Sequence, residues 1–333
     1  MGHLEKLLPA SSLFNVRVMP GLHAYAHLKY RFTTNIREAL LIVKSLMSIC
    51  LLSLKNGLAD VTISAVEPER NIYLFWLPFI KVIYILHSEP HQAMTPFTTF
   101  TCKNRLSKRN KIVTVSNSMK TIIIAQWKIN QKKAGFVVVI YNCITIPGIQ
   151  LNIEFPTDKL IVITLGQVDE RKNPETWIKV AGIITDNHQN IEFLWLGSGP
   201  LLEHYQQATL HNPLISFIGP VNNPHVYLQH STIYYQPSIV EPHGIAVIEA
   251  MYNSLPCIVS NIGGLPESVK NHYNGLVVHP KTVSEHADAI ERLINNPEER
   301  KLYGQHSFLR YQELFTYDCF KSKMDEIYLG KTA

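Results

Sequence analysis

The residues that could do chemistry concentrate in SIVEPHGIAVIEAMYNSLPCIVSNIGGLPESVKNHYNGLVV, residues 238–278. Glu241 follows a strand-like run, His243 and Gly244 make a tight turn, and an apolar helical pattern runs over Gly244–Ser254. The first N–H groups of a helix have no intrahelical acceptor, so the backbone from about Gly244 to Ala246 offers an anion site suited to a diphosphate. Gly244 allows close approach because no Cβ stands in the way. Glu249 lies about one turn further on, and a carboxylate accepts two hydroxyl hydrogen bonds at once, which fits a ribose diol. Glu241 is placed to meet hydroxyls of a sugar beyond the phosphates. Taken singly, either glutamate fits a structural role, since acidic side chains stabilise helix starts. That role leaves unexplained a charge on the apolar stretch AVIEAM, where Glu249 needs a partner.

The elements around this segment alternate between β-rich and helical patterns. DVTISAV (60–66), KVIYIL (81–86), KIVTV (111–115) and VVVIYN (137–142) read as buried strands, with helices expected over 2–14, Asn35–Ser53, Asn71–Phe79 and from about Ser118. A second run follows: DKLIVITLG, IEFLWLG, ISFIG, STIYYQPS, Cys257–Ser260 and GLVV as strands, separated by helices, with long helices from about Val283. Val-, Ile- and Leu-rich strands each followed by a helix mean parallel sheets covered on both faces. Two such runs in 333 residues imply two doubly wound α/β domains, 1–150 and 151–333, divided near Ile146–Pro156. A ligand then belongs in the cleft at the carboxyl ends of the strands.

Charge divides the same way. Residues 1–150 carry 18 Lys+Arg against 6 Asp+Glu, and the remainder 13 against 20, so the halves stand at +12 and −7. The densest run is Lys103, Arg105, Lys108, Arg109 and Lys111. A solvated basic loop accounts for the run by itself; the imbalance of the whole half favours an anionic membrane surface. No nucleic-acid module accompanies the charge. The five scattered cysteines fit reduced thiols in a cytoplasmic protein at the inner face of the membrane. The N-terminus lacks signal-peptide character, and the apolar stretches 39–54 and 72–86 are too short and interrupted to span a bilayer.

Segment 238–278 resembles the retaining glycosyltransferases of family 4, which have the GT-B fold of two facing Rossmann-like domains. Their pattern E-x-F-G-x-x-x-x-E-A-M-A-x-G-x-P-V is met by Glu241, Gly244, Glu249, Ala250, Met251 and Pro256, and G-G-x-x-E by Gly263, Gly264 and Glu267. LGQVDERKN (165–173) looks like G-R-L-x-x-x-K-N, which puts Lys172 on the family's phosphate-binding lysine and Gly166 and Gln167 beside the donor. LWLGSGP (194–200) is similar to the loop near the nucleotide base, with Gly197 and Ser198. VIYILHSEP (82–90) puts His87 where the family has a histidine facing the donor sugar. IYNCIT and VSNSMK match further motifs.

The resemblance implies transfer of a sugar from a nucleoside-diphosphate sugar to a glycan or lipid-linked acceptor in cell-surface polysaccharide or lipopolysaccharide synthesis. It implies retained anomeric configuration and no metal or other cofactor. Glu241, Lys172 and His87 would be catalytic, and Glu249, Gly244, His243, Ile245, Gln167, Gly166, Gly197 and Ser198 donor-binding. The last helix would pack back on the N-terminal domain. Departures are Gln167 for an arginine, with Arg171 as a substitute charge, His243 for Phe, and Ser254 and Cys143 for Gly. The family's first strand is expected to be missing. Rival readings are a non-catalytic partner subunit, a nucleotide-sugar epimerase and a dehydrogenase; the last lacks a G-x-G-x-x-G after a first strand.

Overall fold

The computed structural model describes residues 60–65, 75–76, 81–89, 96–145 and 159–328. The helices expected over 2–14 and 35–53, the start of the N-terminal domain, most of the helix expected over 71–79 and the domain boundary lie outside these residues.

The first unit is a parallel sheet ordered β1 (Asp60–Ala65), β2 (Lys81–Leu86), β3 (Asn110–Thr114), β4 (Val137–Val139). Helix α1 (Pro96–Arg105) precedes β3, and α2 (Asn117–Gln126) and α3 (Gln131–Ala134) follow it. Side chains alternate across a strand, and both faces here are apolar. Val82, Tyr84 and Leu86 pack with Ile112, Met119 and Ile123 on one side. Ile83 and Val113 face the other way, where Met324 and Ile327 of the last helix, α11 (Tyr317–Tyr328), cover them. Lys81 Nζ donates to the carbonyls of Ile327 and Tyr328 at 3.0 and 2.6 Å, placing a cation on the unpaired C-terminal end of α11. Helix α11 is thereby tied to the first sheet.

The second unit contains β5 (Leu160–Leu165), α4 (Pro174–Asn187), β6 (Ile191–Leu196), α5 (Leu202–Ala208), β7 (Ile215–Gly219) and α6 (Pro224–Gln229). It continues with β8 (Ile233–Gln236), α7 (Ile245–Tyr252), β9 (Cys257–Ser260), α8 (Leu265–Ser268), β10 (Gly275–Val278), α9 (Val283–Asn295) and α10 (Pro297–Leu314). The six strands are parallel in the order β10-β9-β8-β5-β6-β7. Chain direction across the sheet reverses between β5 and β8, and the carboxyl ends of strands at such a reversal open a crevice.

Helix α4 shows why the core forms and what it holds. Trp177, Val180, Ala181 and Ile184 recur at helical spacing and are buried. Trp177 packs edge-on against Trp195 and Phe217, at 5.4 and 4.9 Å between ring centres. Both indoles also donate: Trp177 Nε1 to Thr164 Oγ1 at 2.8 Å, and Trp195 Nε1 to the carbonyl of Gly166 at 3.0 Å. The aromatic core therefore fixes the first residue of the loop that leaves β5.

Most expected elements recur within a residue or two. VVVIYN is the largest exception: the strand ends at Val139, Ile140 N–H keeps one bond to Thr114 O, and Tyr141 turns to His243 and Glu267 of the second unit. The run Lys103–Arg105, read as loop, is the last turn of α1. Ser254, at a family glycine, adopts φ 56°, the left-handed conformation in which glycine is least strained.

Candidate active site

Three loops at the carboxyl ends of β5, β6 and β8 build the crevice, and backbone contacts lock them together. Gly166 has φ 144° and its N–H donates to Leu196 O at 2.9 Å; Val168 N donates to Ser198 O at 2.9 Å. A Cβ on Gly197, at φ 147°, would lie 2.0 Å from Gly166 O. Ile239 and Val240 N–H groups both reach Arg171 O, at 2.8 and 3.3 Å. Glycine is thus required at 197 by packing of the loops and at 166 by its backbone conformation, whatever else these positions contact.

This lattice brings Lys172 and Glu241, 69 residues apart, into an ion pair between Nζ and Oε2. Their side chains are only 13% and 12% exposed, so each shields the other from an unpaired charge in a poorly solvated site. Asp169 Oδ1 accepts from Lys172 N at 3.2 Å and fixes the short 3₁₀ turn Glu170–Lys172. Asn173, in the left-handed region, then caps α4 by accepting from Thr176 N at 3.3 Å. Buried Gln236 donates to Glu241 Oε2 at 2.8 Å and to Ser238 Oγ at 3.0 Å, while accepting from Tyr234 O–H at 2.7 Å. Sequence reading passed over Gln236. Its signal was a polar residue ending the otherwise apolar strand run IYYQ.

Glu241 opens the turn onto α7. Gly264 N donates to Glu241 O at 3.1 Å, and a Cβ on Gly263 would lie 1.9 Å from the same oxygen. The G-G step is therefore a second clamp on the glutamate's backbone. Gly244, at φ 93°, is the N-cap of α7 and no side chain caps the helix. Among the described residues, nothing accepts from the N–H groups of Gly244, Ile245 or Ala246. Ile245 is 48% exposed at this helix tip.

Glu249 sits within α7 with no hydrogen-bond or ionic partner for its carboxylate among the described residues, and burial raises its pKa to about 7. His243 points elsewhere. Its ring is 2% exposed, stacks on Tyr141 at 5.2 Å and 5°, and has no partner on either nitrogen among the described residues; burial lowers its pKa to about 3. Only its backbone is left for the crevice. Gln167 is exposed and Oε1 accepts from Arg171 Nη2 at 3.2 Å; the same guanidinium pairs with Asp169 at 2.6 Å. Ser198 is exposed on the loop after β6. His87 stands exposed at the end of β2; partial burial of the ring lowers its pKa and a hydrogen bond with Asn142 offsets this. None of the described contacts joins it to Lys172 or Glu241. Among the described residues, no three His, Cys, Asp or Glu side chains gather as metal ligands.

Residues 149–308 match the family glycosyl transferases group 1. The fold is GT-B. The chain is similar to a glycosyltransferase of Rickettsia africae, with a TM-score of 0.74 at 19% identity over 90% of this chain and 83% of that one. It is also similar to the Anabaena protein HepE in complex with UDP, with a TM-score of 0.69 at 16% identity over 86% of this chain and 81% of that one. An uncharacterized glycosyltransferase of Methanocaldococcus jannaschii is 25% identical over 237 residues, 66% of this chain and 59% of its own length. The chain spans about half the length of the curated relatives it matches. Lys172, Glu241 and the open start of α7 meet at the carboxyl ends of β5 and β8.

Proposed function

We propose that this chain is a retaining glycosyltransferase that moves a sugar from a nucleoside-diphosphate sugar to a hydroxyl of a glycan or lipid-linked acceptor. The observation that carries the reading is the Lys172–Glu241 pair beside the open, glycine-led start of α7. A departing diphosphate gains negative charge as the glycosidic bond breaks, and fixed donors aimed at it lower that barrier. Lys172 Nζ and the N–H groups of Gly244 and Ile245 supply those donors. The donor exchanges its phosphate for the carboxylate on Lys172, which frees Glu241 to accept from sugar hydroxyls. Glu249 takes the ribose diol. Arg171, paired with Asp169 and reaching Gln167 Oε1, supplies a second positive charge in place of the arginine that the family has at position 167. His87, on the opposite domain, faces the sugar. The Anabaena relative's UDP complex supports a uridine nucleotide as the first donor to try.

Incubation with a panel of nucleoside-diphosphate sugars and simple glycoside acceptors tests this. The expected product keeps the donor's anomeric configuration by NMR. Donor binding with neither transfer nor hydrolysis would favour a non-catalytic partner subunit; an epimerised nucleotide released without acceptor would favour the epimerase.

The acceptor is proposed to be membrane-borne, in surface polysaccharide or lipopolysaccharide synthesis, with the protein peripheral at the cytoplasmic face. No helix among the described residues is long and apolar enough to cross a membrane. Helix α1 carries Phe97 and Phe100 at 49% and 55% exposure, with Lys103 and Arg105 in its last turn. The Arg105 guanidinium lies 3.9 Å from the Trp76 ring centre, and Trp76 stacks on Phe100 at 5.8 Å. Exposed aromatics flanked by cations fit an anionic bilayer interface, each basic residue adding about 1 kcal/mol. Co-sedimentation with anionic vesicles at low salt, lost at high salt, is the expected result. A protein that stays in the supernatant with such vesicles would remove the support for docking.

A further inference from the structure

The turn that carries Glu241 is held by the other domain. Ser116, N-cap of α2 in the first unit, accepts from Met119 N at 3.1 Å and donates through Oγ to Pro242 O at 2.7 Å. Glu267, in α8 of the second unit, reaches back across the gap. Its Oε1 accepts from Ser118 N at 2.7 Å, and its Oε2 from Asn117 N and Nδ2 at 2.8 Å each and from Tyr141 O–H at 3.1 Å. One carboxylate thereby satisfies two unpaired N–H groups of a ten-residue helix that belongs to the opposite domain. From behind, Arg310 donates to the carbonyls of Glu267 and Ser268 at 2.7 and 2.8 Å. Tyr141 lies flat on His243, the residue after Pro242. A Cβ on Gly264 would meet Pro242 O at 2.5 Å and Ser116 Cβ at 3.0 Å, so the domains touch at backbone distance.

We propose that Ser116, Glu267 and Tyr141 form an interdomain clasp, and that its closure sets the Glu241–Gly244 turn and so tunes donor affinity. They are positioning residues. The claim rests on the donor site assigned above. The N-terminal domain then does more than present an acceptor: through Pro242 and His243 it shapes the surface that receives the sugar diphosphate. Binding free energies being reciprocal, a donor held by that turn also favours closure.

The test combines UDP titration by calorimetry with small-angle X-ray scattering on the full chain. Glu267→Ala is expected to weaken UDP binding about tenfold, because the competent arrangement becomes a minor population. Its radius of gyration should exceed wild type without ligand and return to it at saturating UDP. In transfer assays the donor KM rises far more than kcat falls, and Glu267→Gln, which keeps one accepting oxygen, lies between. Ser116→Ala and Tyr141→Phe each remove a single O–H and shift affinity in the same direction by less, so the question survives if Glu267→Ala misfolds. Unchanged affinity and unchanged scattering in all these variants would overturn the clasp. A wild-type chain that binds no nucleoside diphosphate would instead sink the functional reading, leaving the scattering of Glu267→Ala to decide the clasp by itself.

Discussion

Lys172→Ala is expected to lower sugar transfer at saturating donor by about 10²–10³-fold, the usual effect of deleting one fixed donor to a developing oxyanion. Among the described residues, the lysine is the one side-chain cation paired with Glu241, and in the proposed transfer the leaving diphosphate is where charge accumulates. The substitution also strands the Glu241 carboxylate, leaving Gln236 as its remaining partner, so stability should fall by about 3 kcal/mol or more. Lys172→Met, which keeps the stem, separates lost packing from lost charge; both variants should be similarly slow once folded. A folded Lys172→Ala with more than a tenth of the wild-type rate would show that Lys172 does not carry the leaving group's charge.

Glu249→Gln should move stability and function in opposite directions. Burial raises the folded-state pKa of Glu249 to about 7 from an ordinary 4.5. Between those values the folded chain holds a proton that the unfolded chain has released. Stability from this group is therefore full below about pH 4.5, declines as pH rises to about 7, and above that the buried anion costs at most about 3 kcal/mol. The amide removes that penalty, and donor-free Glu249→Gln should melt several degrees above wild type at pH 8 and close to it at pH 5. The anion is nonetheless the form that accepts from two hydroxyls. Donor affinity of the wild type should thus rise as pH rises through about 7. Glu249→Gln should bind the donor about ten- to a hundredfold more weakly at pH 8 and lose that pH dependence. Calorimetry with a nucleoside-diphosphate sugar at pH 6 and 8 measures both. Equal donor affinity in variant and wild type would remove Glu249 from the ribose site.

Much of this arrangement is legible in the sequence. Strand runs such as KVIYIL and IEFLWL are largely apolar on both faces because both faces of each sheet are covered, and that pattern yields the two doubly wound units. The turn at Gly244 and the carboxylate inside AVIEAM were readable because each breaks a local rule: a left-handed backbone at a helix start, and a charge on an apolar run. What escaped was made by partners distant in the chain. The pairing of Lys172 with Glu241 depends on the reversal between β5 and β8. Burial of the His243 ring depends on Tyr141, and the role of Glu267 depends on a helix of the other domain. No periodicity within one segment encodes such contacts. Helix α1 escaped for a different reason: PFTTFTCKNR has weak helical patterning, and its identity comes from packing Thr98, Thr101 and Cys102 inward.

A crystal structure of the chain soaked or grown with UDP and a UDP-sugar locates the diphosphate directly. It should lie against the N–H groups of Gly244 and Ile245 with Lys172 Nζ on a phosphate oxygen, Glu241 turned to the sugar and Glu249 on the ribose. A diphosphate bound elsewhere, with the Lys172–Glu241 pair unbroken and the tip of α7 empty, would contradict the account.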